Sequence, residues 1–348
     1  MRTHGVREVG RSSRPTPTIF DEVMDGKPIY MNKYKSISRR RHYLIIFISL
    51  VLAWGAFWIY REYQTIPQYV IPALPNMEMP KESQTILVFA PHCDDETIAA
   101  GGYINKALNA EANVKVILAT NGDGHYAGTA EEFNKIYPSS SNYIDSGYDR
   151  QKETVSALSL IGLDKSNITF LGFPDQGTKL MLTKYWDKAY KSPFTEDTRS
   201  PYSNSYHPNQ EYTGANMEND IYELLVKYQP SIVIVSNPDD KHPDHAALYE
   251  YVYRAIQKSG LKPDLYTYLV HYDYFPYPSG LRKDKYLSPP LKLVGFNGIW
   301  HKFDLDTETE NLKQAALERY KSQIKVPFLH KLMLGFVRKN ELFYKVNY

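Results

Sequence analysis

One cysteine, Cys93, is all that 348 residues contain. No internal disulfide framework can therefore hold this chain, and cysteine usage gives no reading of its compartment. A strong charge imbalance is also missing, since 41 Lys and Arg face 39 Asp and Glu for a net of +2. That balance is uneven along the chain. Residues 1–42 hold ten basic side chains against four acidic ones, whereas 61–348 hold 31 against 35. A mildly acidic body excludes the broad basic footprint that nucleic acid requires. No internal repeat is visible, which sets aside repeat architectures.

Charge is absent altogether between Tyr43 and Tyr60 (YLIIFISLVLAWGAFWIY). Eighteen helical residues at about 1.5 Å each reach roughly 27 Å, just enough for a hydrocarbon core of about 30 Å. Arg39-Arg40-Arg41 precedes the run and Arg61 closes it, with Tyr43, Trp58 and Tyr60 at interfacial positions. The basic cluster predicts a single-pass membrane anchor with the N-terminus cytoplasmic and the bulk of the chain extracytoplasmic. The preceding segment is too long for a signal peptide, and no small-x-small site follows, so the anchor is expected to stay uncleaved. Residues 1–42 read as a basic tail, disordered over its first 38 residues. Residues 61–83, with several prolines, read as an extended spacer. The catalytic domain is expected over 84–348.

What that domain does contain is an alternation of buried strands and helices. Ile86 to Ala90 is a continuous apolar run of the kind a sheet covered on both faces needs. It stops at Pro91, and a helix is predicted over about 95–110. Further strands are predicted at Val114–Ala119, Ile168–Leu171, Ser231–Ser236 and Leu265–Val270. Helices are predicted at Arg150–Ile161, Met217–Tyr228, from His242 to about Lys258, and at Glu308–Tyr320. This order argues for an α/β fold with a mostly parallel sheet. The stretch 178–214, rich in Tyr, Ser, Pro and Asn, is long for a connection and is a candidate substrate loop or lid. Tyrosine is abundant at 30 residues. It suits a carbohydrate surface, and it suits half-buried loops equally well.

Two clusters carry chemistry. Pro91-His-Cys-Asp-Asp-Glu96 and His242-Pro-Asp-His245 each follow a buried strand and open a helix. Binding sites of open α/β sheets gather at these carboxyl ends. His92, Asp95 and one histidine of the second cluster make three ligands with an open position, the pattern of a catalytic zinc site. Asp94 is then free to accept a proton from water. Taken singly, each of these side chains also has a plain structural reading, Asp95 and Glu96 as helix-start charges and Asp244 as a cap. His125, His207 and His271 read as solvent or loop histidines, and His271 also has a place open to it in the cleft.

The chain resembles the PIG-L/LmbE-like family of zinc-dependent N-acetylglucosaminyl de-N-acetylases over roughly residues 84–325. The resemblance is carried by P-H-C-D-D-E (91–96) and H-P-D-H (242–245). It is supported by N-G-D-G (121–124), the helix from Arg150 to Gly162, F-L-G-F-P-D-Q-G (170–177) and K-x-x-A-L-x-x-Y-K-S-Q (313–323). It implies a Rossmann-like sheet with helices on both faces, and Zn2+ held by His92, Asp95 and His245. It implies Asp94 as general base, with His242, oriented by Asp244, stabilising the oxyanion or protonating the leaving amine. By the same resemblance Glu96 supports the site from the helix start, and Arg150 and Asp123 contact sugar hydroxyls. The substrate implied is an N-acetylated amino sugar in a glycan, glycolipid or glycoside. Many relatives have Pro where this chain has Cys93, which is expected to pack rather than bind metal. Three other readings stay open: an amidase on a larger glucosamine conjugate, a catalytically idle membrane-tethered glycan-binding protein, and a glycosyltransferase using Asp239 and Asp240.

Overall fold

A computed structural model describes residues 29–62, 65–295 and 298–347. It divides into two units, residues 1–58 and 59–348. Helix α1 (Ile29–Glu62) contains a stretch, Ser38–Arg61, long and apolar enough to cross a membrane. The expected tail is therefore helical from Ile29 onward rather than disordered, and residues 1–28 lie outside the described residues. Lys, Met, Arg and Leu are good helix formers, so a helix begun in the apolar run can extend back through the basic cluster.

The second unit opens with a segment that is not a free spacer. Ile66, Ile71 and Met77 are buried, Thr65 bridges Pro290, and Met77 N–H donates to Lys302 C=O at 2.8 Å. Three apolar side chains among the prolines give this stretch something to bury, which a Pro-rich composition alone does not reveal.

The elements then run β1 (Thr85–Ala90), α2 (Asp95–Asn109), β2 (Asn113–Thr120), α3 (Tyr126–Glu132), α4 (Ser140–Leu160) and β3 (Ile168–Phe173). They continue with α5 (Thr178–Thr183), α6 (Gly214–Tyr228), β4 (Ile232–Ser236), α7 (Pro243–Ser259) and β5 (Asp264–Tyr268). The C-terminal part adds β6 (Gly298–Asp304), α8 (Thr307–Leu317), α9 (Lys321–Ile324), α10 (Pro327–Leu334) and β7 (Asn340–Val346). One seven-stranded sheet results, in the order β3-β2-β1-β4-β5-β7-β6. The first five strands pair in parallel, and β7 and β6 add on antiparallel.

The apolar run of β1 is explained by its two covered faces. Ile86, Val88 and Ala90 join one core with α2, α4 and α8, while Leu87 and Phe89 join the other with α6 and α7. Period-two side chains with apolar cover on both sides leave no position for a polar residue. Helix α4 starts ten residues before the expected Arg150. Ser139 caps it and Asn142 returns a bond to the Ser139 amide, a box that the surrounding Ser and Tyr residues obscure.

The two antiparallel strands escape the sequence reading because their polar residues look like surface. Glu341 of β7 is in fact wholly buried, accepting from the Gly102 and Tyr103 amides at 2.8 Å each and from Lys313 at 2.6 Å. Removing one partner of a buried pair strands the other. Glu341→Ala is expected to lower the unfolding free energy by about 3–5 kcal/mol, read by denaturant titration of the purified protein. A loss below 1 kcal/mol would mean that Lys313 finds water.

Candidate metal and catalytic site

Strand β1 lies between β2 and β4, so the chain leaves it toward β2 and β3 on one side and returns to build β4 and β5 on the other. The crevice at such a switch point is where an open α/β sheet binds ligands. The two sequence clusters open from its two walls. Residues 91–94 connect β1 to α2, and residues 237–242 connect β4 to α7.

Each loop is fixed by its own hydrogen bonds. Pro91 C=O accepts from the Thr120 amide (3.0 Å) and hydroxyl (2.9 Å), tying the first loop to the end of β2. In the second, Asp240 accepts from the His242 amide (2.9 Å) and from the Val270 and His271 amides (2.9 and 3.0 Å). Pro243 occupies the first helical position of α7, where its missing N–H costs nothing. His242 caps that helix, its Nδ1 accepting from the Asp244 amide at 3.3 Å.

The expected ligands meet on one oxygen. Asp95 Oδ2 lies 3.1 Å from His92 Nδ1 and 3.1 Å from His245 Nε2. Ligands bound at about 2.0–2.1 Å in tetrahedral geometry sit about 3.3 Å apart, so this spacing suits a shared zinc ion. His245 is wholly buried, and neither ring nitrogen makes a well-formed hydrogen bond although carboxylate oxygens lie 3.1 and 3.2 Å away. Close approach without hydrogen-bond geometry is what donors aimed at a common centre show. Among the described residues, three overlapping sets bring three donor atoms within 4.8 Å of one another. These sets are His92, His242 and His245; Asp95, His245 and His271; and His92, Asp175 and Asp244.

The field of the site favours a cation. Burial works against a charged His245, but Asp240 and Asp95 outweigh it and lift the ring to about 10. His92 is likewise raised against burial, by Asp175, Asp244 and Asp95. Burial opposes the ionised Asp95 too, yet His245 and His92 hold it well below its ordinary value. Carboxylates crowded around two imidazoles call for positive charge, which a divalent ion supplies as well as protons do.

Asp94 stands beside this centre. Its backbone adopts φ 143°, rare for any residue but Gly, and its side chain reaches the cavity. Burial pushes its carboxyl up to about 8 even though the Arg150 guanidinium pulls it down. Arg150, on α4, directs its two terminal nitrogens at the protein: Gly122 C=O and Cys93 C=O at 2.8 Å each, and Asp94 Oδ2 at 3.3 Å. It lines the cavity but serves first to brace two loops. Gly122 has to be glycine, since its φ is +68° and a Cβ there would fall 1.6 Å from Arg150 Nη1.

Two expected roles change. Asp123 is 1% exposed and its carboxylate accepts from the Asp175 amide (3.1 Å) and the Tyr202 hydroxyl (2.7 Å). A carboxylate closed off in this way cannot meet a sugar hydroxyl, so Asp123 braces the loops behind the cavity. Asp244 meets His242 through its amide alone. Its carboxylate accepts from the Gln176 amide (2.6 Å) and the Thr178 amide and hydroxyl (3.2 and 2.5 Å), and lies 3.3 Å from His92 Nε2. It sits one residue into α7, where its side chain swings away from the capping ring. Cys93 packs in the core, burial pushing its thiol up to about 12.

His271 takes the place in the cleft that the sequence left open to it, whereas His125, Asp175, Gln176 and Gln323 had no role assigned; all five line a space of about 280 Å³ together with His92, Asp94, Asp95 and His242. Asp175 and Gln176 belong to F-P-D-Q-G at the end of β3, a third strand end on the same side of the sheet. That position was the available signal. No residue of 178–214 lines the cavity, and Tyr190, Tyr202 and Tyr212 anchor that stretch by burial. The opposite wall is apolar, formed by Ile98 and Val270 with Phe328, Leu329, Leu332 and Met333 of α10.

Residues 87–256 match the family model described as PIG-L: GlcNAc-PI de-N-acetylase. The chain carries a PIG-L domain. No curated protein matches it. Among solved structures, it is similar to a deacetylase of teicoplanin biosynthesis, with 16% identity, 75% of this chain and 97% of that chain covered, and a TM-score of 0.47. It is also similar to the N,N'-diacetylchitobiose deacetylase of Pyrococcus horikoshii, with 20% identity, 76% and 84% covered, and a TM-score of 0.46. A third is a 4-carboxy-2-hydroxymuconate hydratase from Pseudomonas putida KT2440, with 15% identity, 76% and 97% covered, and a TM-score of 0.42. The PIG-L domain holds both His/Asp clusters within its matched span.

Proposed function

We propose that this PIG-L protein is a zinc-dependent hydrolase that removes acetate from an N-acetylated amino sugar, anchored by α1 with its catalytic domain outside the cytoplasm. The observation that carries the reading is the meeting of His92 and His245 on Asp95 Oδ2, with Asp94 at the cavity beside them. A Zn2+ ion held by His92, Asp95 and His245 would supply a Lewis acid for the amide carbonyl and lower the pKa of a water to about 7.

The chain's own residues do the rest. Asp94, ionised where the positive charge of a bound metal offsets its burial, accepts the proton of the attacking water, and Arg150 keeps its carboxylate facing the cavity. His242 is pushed down to about 4 by burial and by His92 and His245, so its ring is neutral. Because Nδ1 accepts from the Asp244 amide, the ring proton sits on Nε2. A neutral imidazole with Nε2–H is a donor for the developing oxyanion. Asp94, once protonated, then holds a proton for the leaving amine. The orientation in the membrane follows from Arg39-Arg40-Arg41 on the N-terminal side of the span.

The apolar wall from α10 favours one second reading, hydrolysis of a larger amide on a glucosamine conjugate. Purified full-length protein loaded with zinc is expected to release acetate from N-acetylglucosamine compounds. Faster release of longer acyl groups from matched conjugates would favour the second reading. Binding of these sugars with no release of any acid would leave a glycan-binding protein.

A further inference from the structure

Asp94 holds a backbone conformation, φ 143° and ψ −31°, that persists only where surrounding contacts fix it. Its carboxylate is met by Arg150. Its amide donates to Glu96 Oε2 at 3.1 Å. Glu96 is wholly buried, and its other oxygen accepts from the Thr97 hydroxyl (3.1 Å) and from the hydroxyl of Tyr320. Tyr320 is also wholly buried, with its hydroxyl 2.8 Å from that of Thr97.

We infer that Tyr320 is a positioning residue for the Asp94 carboxylate, acting through Glu96. The inference rests on the reading of Asp94 as the base. Tyr320 lies between α8 and α9, 224 residues from Glu96 in sequence. Two residues on, Ser322 is held by Glu153 of α4 through its amide (2.8 Å) and hydroxyl (2.6 Å). Glu153 is three residues from Arg150 on that helix, so α4 and the α8–α9 junction, themselves joined, grip Asp94 at both ends. Gln323 then lines the cavity. The late pattern K-x-x-A-L-x-x-Y-K-S-Q thus has a physical content. Lys313 pairs with Glu341, Tyr320 holds Glu96, Ser322 ties to α4, and Gln323 faces the reacting centre. Loss of the Tyr320 hydroxyl leaves Glu96 loosely held, and the backbone of Asp94 is then free to relax. A small misplacement of a reacting group lowers turnover without weakening binding.

The test is Tyr320→Phe in the full-length zinc-loaded protein, which keeps the ring and removes the hydroxyl. Amide hydrogen exchange across residues 91–97 is expected to speed up at least about tenfold, with exchange in β5 unchanged. The kcat for acetate release should fall about tenfold or more, with KM within about twofold and zinc content unaltered. In an Asp94→Asn background the same change should cost nothing further. Glu96→Gln, which disturbs the link one step nearer, should repeat the pattern. Exchange reads the hold on Asp94 with no substrate present, so it stands apart from the deacetylase reading. Wild-type exchange at 91–97 in both variants would overturn the inference, as would a loss of kcat that persists undiminished without Asp94.

Discussion

Asp94→Asn is expected to cut acetate release by about 10² to 10⁴-fold while the protein keeps its zinc. Two geometric facts set the size of the effect. Asp94 reaches the cavity next to His92 and Asp95, with His245 buried behind them, yet its nearest charged partner is Arg150 at 3.3 Å. The carboxylate is therefore available to accept a proton rather than committed to the metal. Asparagine keeps the shape and still accepts from Arg150, but has no basic oxygen. The measurement is acetate released per protein, with zinc per protein determined on the same sample. A variant that loses zinc in step with activity would make Asp94 a ligand, and a variant of undiminished activity would remove it from the reaction.

The second large effect is expected from His245→Ala. This ring is wholly buried and sits between Asp95, 3.1 Å from Nε2, and Asp240, 3.2 Å from Nδ1. Its removal deletes one ligand and leaves two buried carboxylates facing each other's field. Loss of an outer partner of a zinc site typically weakens metal binding by about 10–100-fold, so loss of a ligand itself should exceed about 100-fold. Zinc retained after dialysis against a chelator, compared with wild type, measures this directly. Acetate release should fall with it and recover only at high added zinc. Wild-type zinc retention would place the ion on another of the overlapping donor sets, such as His92, Asp175 and Asp244.

Much of the sheet could be read from the chain because local pattern and tertiary demand coincide there. Five mainly apolar runs became the five parallel strands, since most of their positions are buried against one core or the other. The antiparallel pair could not be read in the same way. The last of them includes Asn340 and Glu341, whose burial depends on partners far away in sequence. The Pro-rich stretch after α1 misled for a related reason, because three apolar side chains among prolines show their purpose only when the surface they cover exists.

The candidate site divides along the same line. By itself the sequence determined which residue types stand at the ends of β1 and β4, because a strand that stops at a Pro or Asn and hands over to a helix fixes its turn locally. It thereby determined His92, Asp94, Asp95, His242 and His245 as the candidates. Only the tertiary structure decided that Asp95 is the shared oxygen, that Asp123 and Asp244 brace loops, and that His125, Asp175 and His271 face the cavity. A side chain's role at the carboxyl end of a strand is set by what the neighbouring strand ends bring within about 3 Å, and that distance is not written in any one stretch of chain.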